Sequence, residues 1–399
     1  MLKLGLSAQE QRLFEEGLLE DHEIRVQVDV LDMEHRLVGS STGKVLSGQV
    51  DIDTTQDVTR TCQVSVLDVD NSLAVSTGDP SSAGMWASNQ LRVIYLVRSQ
   101  KLHRWVPVPV FCGPIVSAKR EGDVVSISAN GKEHLLMGAM GWHYRAPKGY
   151  PKTRVLTDIL DGAGETRLDI PQRKDKTIEP VTIASREQPW NRLQGMARAL
   201  GSVRLWYDAH GTCRLTNLRS QPVYTFRRGD GGNILSDPTL DVDLDNLRNI
   251  VVVTGGVPAG AKGRIQKVAQ PEARHPFHAK NLGRNGKGRY IREDITDDAI
   301  TSNEVAQNLA NDKLWEHLQA TISVEFESLV IPHLEPWDVI RVEAGEWTWE
   351  TQVGKFSIPL TTDGTMSVGK NFTTRIVRGF RPKRAARVAA KKPASGRKR

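Results

Sequence analysis

The chain has 399 residues, 39% of them hydrophobic and 25% charged, with a formal net charge of +7. That length allows about two to four domains with proper cores, and the composition reads as soluble and globular. No run of about 18 apolar residues exists, so no transmembrane helix and no membrane anchoring are expected.

The charge is unevenly placed. Residues 381–399, "RPKRAARVAAKKPASGRKR", hold nine Lys or Arg and no acid, so removing them leaves −2 for the preceding 380 residues. Pro382, Pro393 and Gly396 interrupt this stretch, and it has no apolar stripe to offset the entropy of ordering. It is expected to be a disordered basic tail. A solvated tail is the simpler reading, and a nucleic-acid arm is the rival. The three cysteines, Cys62, Cys112 and Cys213, show no CxxC spacing, which argues against a disulfide framework or a zinc site.

In chain order, "MLKLGLSAQEQRLFEEGLLEDHE" is acidic and lacks a signal-peptide core. Ser7 with Glu10 forms a capping-box pattern for a short helix. From residue 24 to about 136 the apolar residues alternate, as in Val26, Val28 and Val30 or Cys62, Val64 and Val66. Period-two alternation buries one face of a strand and wets the other, and many such strands suggest an antiparallel sandwich or barrel. Pro107 and Pro109 each remove a ladder donor, so their strand should lie at an edge or bulge.

Helical spacing follows in "TRVLTDILDGAG", with Gly162 and Gly164 as stops. "QPWNRLQGMARALG" is clearer: Pro189 suits the first turn, and Trp190, Leu193, Ala197 and Leu200 share one face. Next comes "WYDAHGTCRL", which sets Asp208, His210 and Cys213 close together. One reading is a catalytic trio. The other is a hairpin turn, with Asp208 bonding the turn backbone and His210 at an exposed tip. Nothing local buries or orients a Cys–His pair, so the turn is preferred.

"NIVVVTGG" reads as a strand, and the polar Gly- and Pro-rich stretch after it as an inserted unit or loop. His275 and His278 lack further ligands at metal spacing. "NGKG" and "GSSTGK" both fail the phosphate-loop pattern. "TSNEVAQNLANDKLWEHLQA" is a helix, with Thr301 and Glu304 as a capping box and Ala306, Ala310, Leu314 and Leu318 on one face. The tract from "TISVEFESLVIPHLEPWDVIRVE" to "TTDGTMSVGKNFTTRIV" reads as four or five antiparallel strands, with an Asp-Gly hairpin signal. Pro332 and Pro336 should deliver Trp337 extended at the start of this sheet, packed beneath them or against a neighbouring subunit, with Asp338 bonding the turn backbone.

The segments "PWNRLQGMARALGSVRLWYDAHGTCRL", "IPHLEPWDVIRVE" with "TQVGKFSIPLTTDGTMSVGKNF", and "SGQVDIDTTQDVTRTCQVSVLDVDNSL" resemble, in that pattern and order, siphophage tail-hub or minor tail proteins. Those are related in fold to the baseplate hub of contractile-tailed phages. The resemblance covers residues 24–380 and leaves out the basic tail. It implies a β-rich α+β fold with two similar antiparallel β-barrels and two α/β inserted or connecting domains. The divisions expected are a helical segment at 1–23, a first barrel at 24–140, an α/β domain at 141–205, a second barrel split over 206–250 and 318–380, an insert at 251–317 and the tail at 381–399.

The resemblance also implies a homotrimeric hub that adapts the tail tube to the tip and lines the DNA exit path without specific binding. Its partners would be a distal tail ring, the tape-measure protein and receptor-binding or fibre proteins. Its place would be the virion tail tip, reached from the host cytoplasm during assembly. The residues themselves show no HExxH, GxSxG or CxxC pattern. No catalytic, cofactor-binding or metal residue is therefore assigned, and no cofactor is expected. A peptidoglycan hydrolase remains a rival because two carboxylates need no fixed spacing. Nucleic-acid binding through the basic tail is the other.

Overall fold

In the computed structural model, Ser7 and Glu10 cap the first helix, Ala8–Gly17, reciprocally. The Ser7 N–H donates to Glu10 Oε2 at 2.9 Å, and the Glu10 N–H donates to Ser7 Oγ at 3.3 Å. The structure describes residues 1–378 except 43, 74–88, 174–176, 178–179, 199, 201–202, 218, 220, 259, 261, 274, 298–299, 301 and 321. The basic tail and Thr301 of the last helix's capping pattern lie outside the described residues. The first helix turns Phe14 and Leu18 inward. Phe14 meets the His333 ring edge-on at 5.5 Å, and the Leu2 N–H donates to the His333 carbonyl at 2.8 Å. The chain's beginning is thus packed on its last third.

The alternating segments form strands whose buried residues follow the alternation. Val64 and Val66 are buried in Arg60–Leu67, and Val28 and Val30 in Ile24–Leu31. Fourteen strands join in one sheet. Its path runs from Tyr224–Arg227 through Val339–Ala344, Trp347–Gln352 and Met366–Arg378 to Lys355–Pro359. It continues through Val45–Asp53, Arg60–Leu67, Val124–Asn130, Arg104–Glu121 and Gln90–Ser99 to Ile24–Leu31 and Leu37–Ser41. Ile322–Ser328 branches from Met366–Arg378 and carries Thr239–Val242. The fold is β-rich. Among the described residues the ladder is an open path and does not close into two barrels.

Pro107 and Pro109 sit in Arg104–Glu121, which is no edge strand. Its first half pairs with Gln90–Ser99 and its second half with Val124–Asn130, so the prolines fall where the second partner has not yet joined. Register slips there, with Val93 opposite Phe111 and Ile94 opposite Pro109, leaving Val110 as a bulge. A strand can tolerate two missing donors only where one side is free or the ladder is broken.

The two halves of the sheet meet in one antiparallel pair. Lys355 lies opposite Asp53, Phe356 opposite Ile52, and Ile358 opposite Val50. One core runs across this seam, from Phe14 and Val28 to Phe356 and Val368.

Two smaller cores flank it. Helices Lys152–Gly162 and Pro189–Arg198 bury Val155, Leu156, Ile159, Trp190 and Leu193 against the hairpin Val203–Tyr207 and Cys213–Asn217. Ile250–Gly255 pairs antiparallel with Gln266–Ala269 and parallel with Arg292–Asp297. Helix Asn303–Ala320 covers that sheet with Ala306, Ala310 and Leu314. The apolar stripes of all three helices lie where their spacing puts them.

Phe356 is 2% exposed, at the seam. Phe356→Ala should cost about 3–5 kcal/mol by emptying that volume. Denaturant unfolding followed by circular dichroism checks this through a lowered midpoint. An unchanged midpoint would mean that the seam does not carry the core.

Candidate functional site

The hairpin that holds Asp208, His210 and Cys213 pairs Val203 with Asn217 and Tyr207 with Cys213. Its turn is closed by Asp208. The Asp208 N–H donates to the Thr212 carbonyl at 3.1 Å, and the Gly211 N–H donates to the Asp208 carbonyl at 2.9 Å. Asp208 Oδ1 accepts from the N–H groups of His210 at 3.0 Å and Thr212 at 2.9 Å. Its Oδ2 takes Arg214 Nε at 2.5 Å. The carboxylate is thus spent on the turn, as an aspartate at this position usually is. Gly211 has φ +73°, and a Cβ there would lie 3.0 Å from Cys112 Sγ and 3.1 Å from Lys132 Cδ.

That close approach corrects one expectation. The tip is not exposed: Asp208 and Ala209 are each 2% exposed, and His210 is half-buried with its imidazole pKa lowered mainly by burial. The segments that bury the tip come from distant parts of the chain. No arrangement for nucleophilic catalysis results. Burial pushes the Cys213 thiol far above its ordinary range, the opposite of an activated cysteine. Cys112, also buried, is pushed up to about 11, and Cys62 is pushed up as well.

The tip inserts between two buried ion pairs. Above it, Glu335 Oε2 holds Arg60 Nη2 at 2.5 Å, and Glu335 Oε1 accepts from the Ala209 N–H at 3.2 Å. Arg60 Nη1 donates to the Val110 carbonyl at 2.7 Å. Below it, Lys132 Nζ donates to Glu165 Oε1 at 2.9 Å and to the Gly211 carbonyl at 3.2 Å. His35 Nε2 lies 3.3 Å from the same ammonium. Burial first, then the Lys132 charge, lowers the His35 pKa to about 4, so the ring stays neutral and its Nε2 can accept a hydrogen bond from Lys132. Asp338 anchors the segment that carries Glu335: its Oδ2 accepts from the Glu335 N–H at 3.0 Å and meets the Met1 amine at 2.5 Å. Strand Val339–Ala344 starts directly after it, so the expected role of Asp338 in the turn is the one observed. Trp337, at φ +68°, is left only partly buried, its ring over Arg204.

Two carboxyls at this junction are shifted. Burial pushes Glu335 up to about 7 against the opposing pull of Arg60, and it pushes Glu133 up to about 7 likewise. A raised carboxyl in a cleft would suit a general acid. Here the cavity touched by Asp208 and Glu335 holds about 90 Å³, room for a few waters, where small-molecule sites begin near about 300 Å³. The arrangement clamps three parts of the chain together.

Arg60→Met should cost about 3–5 kcal/mol, because it strands a buried carboxylate, and adding Glu335→Leu should recover much of that loss. Urea midpoints of the single and double variants check the pair; equal loss in both would contradict it. The pH dependence has a definite sign. Between the ordinary value of 4.5 and about 7 the native Glu133 holds a proton that the unfolded chain has released. The contribution of this group to stability is therefore full below pH 4.5 and falls as pH rises through about 7. Glu133→Gln should flatten the decline in urea midpoint over that range, and an unaltered slope would count against it.

No protein-family model matches the chain, and no curated protein matches it. Solved structures do. A tail protein from Neisseria meningitidis MC58 superposes with a TM-score of 0.58 at 13% identity, covering 88% of this chain and 96% of that one. The 43 kDa tail protein of prophage MuSo2 from Shewanella oneidensis gives 0.59 at 11% identity, covering 89% and 98%. Prophage tail protein gp18 from Listeria monocytogenes EGD-e gives 0.51 at 11% identity, covering 88% and 94%. Over nearly its whole described length, the chain has the fold of these phage tail proteins.

Proposed function

We propose that this chain is a structural protein of a phage tail, the hub of a long non-contractile tail tip, acting as a homotrimeric ring around the DNA exit path. The observation that carries the reading is the fold match to three tail proteins over 88–89% of this chain. The architecture is compatible with load-bearing. One ladder runs through both halves, and buried ion pairs tie the hairpin tip to each of them. In this reading residues 24–140 and the split segments 206–250 and 318–380 act as two barrel-like units. The regions 141–205 and 251–317 are their appended and inserted domains, and the hairpin 203–217 shares its core with the first of these.

The partners proposed are a distal tail ring, the tape-measure protein and receptor-binding or fibre proteins, met at the virion tail tip after assembly in the host cytoplasm. No catalytic role is proposed. A peptidoglycan hydrolase would need its carboxylates to face a saccharide, and Asp208 and Glu335 face a cavity of about 90 Å³.

Immunogold labelling of purified particles should place the protein at the distal end of the tail, and native mass spectrometry of detached tips should count three copies. Label along the tube, or none on particles, would overturn the hub reading. Six copies or one would overturn the trimer.

A further inference from the structure

A larger cleft lies on the other face of the same hairpin. In Val203–Tyr207, the side chains of Val203, Leu205 and Tyr207 join the small core. Strand alternation sends Arg204 and Trp206 to the opposite face. There Arg204, only 8% exposed, has its guanidinium carbon 5.7 Å from the ring centre of Trp315 and 5.6 Å from that of Trp337. Both rings and Arg204 line a cavity of about 620 Å³, with Trp190 and the loop from Thr54 to Asp57 as further walls. That volume is within the range of small-ligand sites. Gly195 adds room, since a Cβ built there would meet nothing within 4 Å.

The guanidinium is underused. Its Nη1 donates to the Val203 carbonyl at 3.0 Å, and among the described residues its other donors have no protein partner and no carboxylate lies within ion-pair distance. An arginine has five N–H donors in a planar fork. Burying such a group against indoles while leaving the fork open is costly unless something fills it. The nearby carboxylates supply counter-charge without filling the fork: Asp312 acts on Arg204 through space and its Oδ2 is buried without a hydrogen bond, and Glu316 is held by Lys313 at 2.7 Å. Trp337 adopts φ +68° to reach this position, a conformation that costs energy in a bulky residue and tends to persist at ligand clamps. Trp337 Nε1 is also a buried donor with no partner among the described residues.

We propose that this cleft binds a carboxylate carried on a compact apolar or aromatic body, the carboxylate on the fork of Arg204 and the body between the indoles of Trp315, Trp337 and Trp190. A single planar anion matches the bidentate fork. On the rest of the lining Asp57 and Glu316 balance Arg198 and Lys313, which leaves Arg204 as the unbalanced charge. The carboxylate can be a free acid or the side chain of a protein segment. Loop Thr54–Asp57 and Trp337 come from the main core's chain segments, Trp190 from the second core, and Trp315 from the helix over the third. An occupant would therefore touch all three. The assignment is independent of any place in a virion.

Calorimetric titration of the full chain tests it with three probes: 3-phenylpropionate, its neutral amide, and the capped peptide acetyl-Phe-Glu-Phe-amide. Saturable binding of at least one carboxylate, at least about tenfold tighter than the amide, is expected. Binding of the peptide alone assigns the ligand to a protein segment, and binding of 3-phenylpropionate assigns it to a free acid. Arg204→Lys keeps the charge and loses the fork, and should weaken the carboxylate about tenfold. Trp315→Ala, at a partly exposed position, should weaken it too. No saturation by either carboxylate up to about 10 mM, or equal binding of acid and amide, overturns the proposal. Both readings use the unaltered chain, so they stand even if a variant fails to fold. Unchanged affinity in a folded Arg204→Lys overturns the role of Arg204.

Discussion

Arg60 ends up with almost no contact with water, 3% exposed, at the start of the strand Arg60–Leu67. A guanidinium that sits there gains from a close counter-charge, because removing an ion from water costs several kcal/mol even after relaxation. Its partner is Glu335, 275 residues along the chain. Much of the arrangement follows from that pairing. The carboxylate must be delivered by a segment entering from outside the sheet. That segment does not run extended as Pro332 and Pro336 suggest but takes two turns, the Leu334 N–H donating to the Ile331 carbonyl and the Asp338 N–H to the Glu335 carbonyl, and Asp338 closes the second. The last set of strands then begins at Val339, two strands along the ladder path from Met366–Arg378 and three from the seam strand Lys355–Pro359. The second carboxylate oxygen takes the Ala209 N–H and so fixes how deep the hairpin tip can go.

The titratable groups at this junction are arranged for packing. Glu133 and Glu335 are raised by burial, Cys112 and Cys213 likewise, and His35 is lowered by it. All these shifts favour the neutral forms, and they occur around a packed tip with space for a few waters. Perturbed groups mark function only when a substrate can reach them. Here the perturbation comes from close packing of three chain segments.

Several features were legible because they are local. The Ser7–Glu10 capping box, the Trp190–Leu193–Ala197 face and the Asp208 turn each depend on residues within a few positions of one another, and each formed as its pattern dictates. The bulge near Pro109 was legible as a choice between edge and bulge. The chain resolved it by splitting one long strand between two partners. The burial of the tip was not legible, because the residues that cover it, Lys132 and Glu335, lie 79 and 126 positions from their contacts in the turn. Nor was the Arg204 cleft. An arginine alternating with Leu205 in a strand reads as solvent-facing, and the two indoles close to it come from Trp315 and Trp337.

By itself, then, the sequence determined the long strands and helices, which faces of them were apolar, and where turns such as that at Asp208 fell, but not the short strands Gln266–Ala269 and Arg292–Asp297 in the stretch that reads as an insert or loop. Those properties rest on backbone sterics and side-chain period within a few residues. Only the tertiary structure decided that Lys355–Pro359 pairs with Val45–Asp53 to join the two halves, that Arg60 finds Glu335, and that Arg204 lies close to two tryptophans. Each of these contacts closes a long loop. Its partner is selected by what remains unburied and unneutralised once the local elements have formed, a competition among the whole chain's surfaces that no short stretch encodes.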